Sequence, residues 1–183
     1  GALCIALALA GRLPLSQWQF DAEWHQIVMR RSYLALRHWH FEDWARVAAV
    51  LSTLATASIL LQTQLQRIAT AVLATSIVLL LVTWIGGDIL RIILAVQVQA
   101  WRYLWLATVV SIVLLPALLE SGWRTSVLAR SALLLVASAW ISSTPIPTFV
   151  ASVLAVLAAA FSSRQISSYS AWIPRSTSTS PSR

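Results

Sequence analysis

The sequence predicts an all-α fold: a polytopic transmembrane helix bundle with an amphipathic interfacial segment. Three observations lead there. Of 183 residues, 58% are hydrophobic and only 10% are charged, against roughly 25% charged in ordinary soluble domains. Mean hydropathy is +0.76, and a water-soluble chain this apolar would expose large greasy patches. The apolar residues also gather in runs near the length that spans a bilayer, about 20 residues.

The chain opens inside the apolar run GALCIALALAG, which stops at Arg12. A basic stretch precedes the apolar core of a signal peptide, and none is present here. The first residue is Gly rather than Met. A truncated chain is therefore expected, with residues 1–13 the tail of a cut transmembrane helix. Cys4 is the single cysteine, which excludes an intrachain disulfide and a cysteine metal cluster.

Residues 14–44 are expected to form a polar, amphipathic interfacial loop. The part from Phe20 to Trp44, FDAEWHQIVMRRSYLALRHWHFEDW, holds four of the six acidic residues, all three histidines and three tryptophans. Phe20, Trp24, Ile27, Val28 and Leu34 recur at helical spacing, while Glu23, Arg30 and Arg37 share another face. That pattern describes a helix lying on a membrane. Two readings stand side by side. In one, the charges and tryptophans only hold the helix at the interface. In the other, Arg30, Arg31 and Arg37 hold the phosphate of an anionic lipid-linked substrate, and Asp21 or Glu23 acts as a base. His38-Trp39-His40-Phe41-Glu42 matches no strong zinc motif, and no metal or cofactor is expected.

Residues 45–162 should form the bundle, with about five spans at 45–61, 68–85, 103–119, 127–141 and 149–161. The last two runs are short and are joined by the uncharged link SSTPIPT. Small residues at four-residue spacing, Ala48-Ser52-Thr56 and Ala151-Ala155-Ala159, mark faces where helices approach closely. Trp84, Trp101, Trp105, Trp123, Trp140 and Trp172 fall near run ends, as in an aromatic belt.

Gly86 and Gly87 are expected to close one helix, with Asp88 capping the next. From Asp88 to Leu115 nothing breaks the helix: 28 residues, or about 42 Å. The hydrocarbon core is about 30 Å thick. Residues 88–102 are therefore expected as an interfacial helix, with Asp88, Arg91, Ala95, Gln99 and Arg102 on one polar stripe. The Ser/Thr/Pro/Arg-rich residues 163–183 are expected to be a disordered tail.

All 13 basic residues are Arg, and the net charge is +7. This favours lipid headgroups over nucleic acid as a partner. With residues 88–102 outside, the arginines divide into six inside (67, 124, 130, 164, 175, 183) and seven outside (12, 30, 31, 37, 46, 91, 102). The positive-inside rule does not choose between the two orientations.

The pattern FDAEW…RRSYLALRHWHFEDW, followed by VQVQAWRYLWL, resembles a group of uncharacterised bacterial polytopic membrane proteins. Their architecture is similar to that of GT-C-type membrane glycosyltransferases. The resemblance covers residues 18–110. It implies an enzyme of the inner (plasma) membrane acting on a polyprenyl-phosphate-linked sugar. It also implies Asp21 or Glu23 as base or metal ligand, and Arg30, Arg31, Arg91 and Arg102 on the carrier phosphate. The alternative is a non-enzymatic scaffold or assembly subunit with a membrane-protein partner. A transporter component fits less well, because the spans carry almost no ionisable residue at their centres.

Overall fold

The computed structural model describes residues 36–62, 64–90 and 100–171, together with Glu23, Ile27 and Ile92, with side chains through Arg164. Five helices lie on the five apolar runs: α1 Phe41–Leu60, α2 Gln64–Val82, α3 Ala100–Trp123, α4 Val127–Ile141 and α5 Pro145–Ala171. Among the described residues no strand forms. The all-α membrane bundle read from the sequence is the observed fold.

α1 begins after His40, whose backbone N–H donates to the Asp43 carboxylate at 3.1 Å. Glu42 and Asp43 occupy its first turn, where acids complement the positive end of the helix dipole. The H-x-H-x-E stretch thus serves as a helix start. His38 ends a 3-10 turn, Leu36–His38, His40 is the N-cap and Glu42 falls in the first turn. Among the described residues no three His, Cys, Asp or Glu come together as a metal site.

α2 is followed without a stop by a π-helical turn, Thr83–Ile89. This corrects the expected break. Gly86 and Gly87 are buried inside the turn and do not end the helix. Wide-looped bonds carry the chain through: Leu90 N–H to Ile85 O at 2.9 Å and Ile92 N–H to Gly86 O at 2.7 Å. Asp88 lies within the same π-helical turn. Its Oδ2 accepts the backbone N–H of Arg37 at 3.2 Å. The next described helix runs from Ala100, and most of the proposed 88–102 stripe lies outside the described residues.

α3 continues through Pro116 to Trp123, beyond the stop the sequence suggested. Pro116 sits on an exposed face, and membrane helices tolerate such a missing N–H. Ser126 caps α4, its Oγ accepting the Ala129 N–H at 3.1 Å. α5 opens with Pro145, a residue suited to a first helical turn. It stays helical to Ala171, so residues 163–171 of the expected disordered tail are ordered backbone. The segments 1–22 and 172–183 lie outside the described residues.

Three helices are long and apolar enough to cross a membrane: Gln64–Ile89, Trp101–Trp123 and Pro145–Arg164. α4 is apolar but has only 15 residues, about 22 Å. α1 has the length but begins with Glu42, Asp43 and Arg46.

α1 is the central helix and packs against α2, α3, α4 and α5. It suits that place because small and hydroxyl residues cover it. Ala45, Ala49, Ser52, Thr53, Thr56 and Ala57 are all buried. Ala155 and Ala159 of α5 and Ala129 and Ala132 of α4 are fully buried, so backbones approach closely, as membrane helices require. Interhelical hydrogen bonds add to this. Trp140 Nε1 donates to Thr53 Oγ1 at 2.9 Å, and Ser121 Oγ donates to Leu60 O at 3.1 Å. Ile77, Val78, Val113, Leu134 and Leu157 point outward, as side chains facing lipid should.

Successive helices alternate in direction, so the bundle has two distinct ends. One gathers the 36–40 turn, the start of α1, the π-helical turn, the start of α3 and the α4–α5 link. Phe41 and Phe149 meet there at 5.9 Å. The other gathers the α1–α2 link, the α3–α4 link and Arg164. Ser126 and Ser162 hydrogen-bond there at 2.7 Å.

Candidate functional site: a two-lobed cleft around Arg46

The end that holds the start of α1 is hollow. A cleft of about 420 Å³ lies between α1 and α3, lined by Trp39, Asp43, Arg46, Val47, Val50, Trp101, Leu104, Trp105 and Thr108. A second, of about 350 Å³, is lined by Glu42, Ala45, Arg46, Ala49, Val50, Thr108, Ala139, Trp140, Ser142, Ser143, Thr144, Pro145 and Thr148. Arg46, Val50 and Thr108 line both. They are therefore two lobes of one site, with Arg46 where they join.

The lobes differ in chemistry. The first is aromatic and apolar: three tryptophans, two valines and a leucine. The second is rich in hydroxyls from Ser142, Ser143, Thr144 and Thr148. One turn of α1 supplies the charges of both. Glu42 and Arg46 are four residues apart and line the second lobe, and Asp43 reaches the first. Arg46 has no hydrogen-bond or ion-pair partner among the described residues. A guanidinium in that condition presents its whole fork to a ligand, and phosphate and carboxylate match that fork.

The walls are held by bonds that the lining residues make with one another and with their neighbours. Trp140 is oriented by Thr53, whose hydroxyl donates to Ala49 O at 2.7 Å. Thr148 Oγ1 donates to Thr144 O at 2.9 Å, which ties the α4–α5 link to the first turn of α5. Asp43 is held by the His40 N–H. Trp39 is packed on Trp44, with ring centroids 5.4 Å apart.

Of the residues singled out from the sequence, Asp21, Arg30, Arg31 and Arg91 lie outside the described residues. Glu23 is exposed on helical backbone and lines neither lobe. Arg37 is at the same end of the bundle but lines a separate hollow with Leu36, Trp44 and Trp84. Arg102 is exposed, with its guanidinium 5.2 Å from the centroid of the Trp101 ring, on the rim of the first lobe.

Sequence reasoning did not select Glu42, Asp43 or Arg46. One signal was available. An Arg just inside an apolar run is costly unless it faces a cavity or the interface, and Arg46 follows Ala45 at the start of the first span. The hydroxyls of the α4–α5 link carried no such signal, because the same residues suit a plain turn. Compared with known proteins, the chain matches no family model, no curated protein and no solved structure at a significant level.

Proposed function

We propose that this integral membrane protein acts in a bacterial inner membrane on a lipid-linked phosphate substrate, as a GT-C-like glycosyltransferase using polyprenyl-phosphate-linked sugar. The observation that carries the reading is Arg46, unpaired among the described residues, between an aromatic lobe and a hydroxyl-rich lobe, with Glu42 one helical turn away. In the reaction an acceptor hydroxyl gives its proton to Glu42 and attacks the anomeric carbon. The bond from that carbon to the phosphate oxygen breaks, and the phosphate leaves with its charge held by Arg46. The base of the reaction is thus assigned to Glu42 in preference to Asp21 or Glu23, and the first phosphate contact to Arg46. Arg37 and Arg102 stand at the same end as outer cations for the carrier.

The test uses the full chain in liposomes with a polyprenyl-phosphate-linked hexose. The readout is release of free polyprenyl phosphate upon transfer to an added acceptor. Wild type should exceed empty liposomes, and Glu42→Gln should lose about 100-fold or more in rate, the usual contribution of a general base. Wild-type liposomes that release no more than empty ones would overturn the transferase reading.

A second reading is a non-enzymatic scaffold or assembly subunit. It is favoured by Asp43, whose carboxylate serves the N-terminus of α1, a structural role. It predicts that Glu42→Gln is silent and that a membrane-protein partner accompanies the chain through purification.

A further inference from the structure

α1 touches all four other helices, and the neighbours of Arg46 on its inner face, Ala45, Ala49 and Val50, are buried. Yet Arg46 is exposed. The sleeve around the central helix must therefore be open at that level. The residues lining the opening say where. Thr108 of α3 stands on one side, and Ala139 and Trp140 of α4 on the other. Toward the opposite end the same two helices close. A methyl placed on Gly122 of α3 would lie 2.7 Å from Leu133 Cδ1 of α4. α3 and α4 thus form a wedge, shut at Gly122 and open at Arg46.

The depth of the opening matters. Thr108 lies seven residues past Trp101, the first residue of the α3 span, or about 10 Å along the helix. A hydrocarbon layer is about 30 Å thick, so the opening reaches below the headgroup plane and faces acyl chains. Trp105, at the rim of the first lobe, is 73% exposed, so that lobe also opens outward.

From this geometry we infer that the cleft takes an amphiphile sideways from the bilayer, and that its ligand class is a lipid whose phosphate is a diester bearing a polyhydroxylated headgroup. The phosphate sits on Arg46. The apolar chain lies against Val47, Val50 and Leu104, and the headgroup hydroxyls meet Ser142, Ser143 and Thr144. This rests on the proposed function for the site but not on any transfer chemistry. It differs from simple attraction to anionic lipid, because a bare phosphate monoester leaves the hydroxyl lobe unused.

The test is native mass spectrometry of the full chain in mixed micelles holding equal amounts of phosphatidylinositol, phosphatidic acid and phosphatidylcholine. Retention of phosphatidylinositol should exceed that of each of the others by about tenfold, the worth of one or two net hydrogen bonds. Arg46→Gln should abolish the retention. The double variant Ser143→Ala, Thr144→Val should erase the preference over phosphatidic acid while keeping binding. Far-ultraviolet circular dichroism of each variant, with Thr125→Ala at the opposite end as control, separates lost binding from lost fold. Equal retention of the three lipids, or retention unchanged in a folded Arg46→Gln, would overturn the inference. Selective retention without transfer would sink the transferase proposal and leave this one standing.

Discussion

Two threonines three residues apart on the central helix make the packing testable. Thr53 and Thr56 are both fully buried, yet their hydroxyls are treated differently. Thr53 Oγ1 accepts the Trp140 indole N–H at 2.9 Å and donates to Ala49 O at 2.7 Å. Thr56 Oγ1 has no hydrogen-bond partner among the described residues. Replacing either by Val keeps the shape and removes the hydroxyl. At position 53 this strands a half-buried indole N–H, which costs about 1–3 kcal/mol in a soluble core. Interhelical hydrogen bonds within membranes average about 0.6 kcal/mol and reach about 1.7. Thr53→Val should therefore lose about 1–2 kcal/mol. At position 56 the substitution removes a polar atom that was buried without return, so Thr56→Val should be neutral or gain up to about 1 kcal/mol. The assay is unfolding of the detergent-solubilised chain by added dodecyl sulfate, followed by circular dichroism. A cycle with Trp140→Phe isolates the bond, since Thr53→Val should cost less once the indole N–H is gone. Equal losses at positions 53 and 56, or no coupling between Thr53 and Trp140, would refute the placement of α1 against α4.

Two further outcomes follow from the helix ends. Asp43→Ala removes the acceptor for the His40 N–H and a charge from the first turn of α1, so stability should fall by about 1 kcal/mol in the same unfolding assay, with Glu42→Gln close to neutral. Gly122→Val places atoms where Leu133 already stands and should cost about 1–3 kcal/mol. Leu133→Ala in the same chain should recover part of that loss, because it clears the contact.

The apolar runs made the helix count and the membrane class legible, because five stretches of 13 to 18 mostly apolar residues in one chain have few other uses. The stripe Ala151-Ala155-Ala159 was legible as a packing face for the same reason: small residues at four-residue spacing let backbones meet. Local chemistry was harder to read. Gly86-Gly87-Asp88 has the look of a stop and a restart. The chain instead stays wound as a π-helical turn, and the Asp88 carboxylate serves a residue 51 positions away, a pairing no local rule contains. The site was partly visible. The Arg-rich, acid-rich stretch was identified through Asp21 and Glu23, of which Asp21 lies outside the described residues, and the same stretch runs on into Glu42 and Arg46, which line the cleft. What selects Arg46 is the gap between α3 and α4, and that gap depends on Thr108 and Trp140, far away in the chain. The hydroxyls of residues 142–144 gain meaning only when the α4–α5 link is brought over the start of α1.

The central claim is that alternating helices bring the 36–46 stretch and the α4–α5 link to one face of the membrane and leave the α3–α4 link at the other. Single cysteines at His38, Ser143 and Thr125, each in a Cys4→Ser background, test it with a membrane-impermeant thiol reagent on intact and permeabilised cells. The account predicts that His38→Cys and Ser143→Cys label together from the outer face, and that Thr125→Cys labels only after permeabilisation. Labelling of Ser143→Cys from the same side as Thr125→Cys, opposite His38→Cys, would contradict it, because the hydroxyl lobe could not then join Arg46.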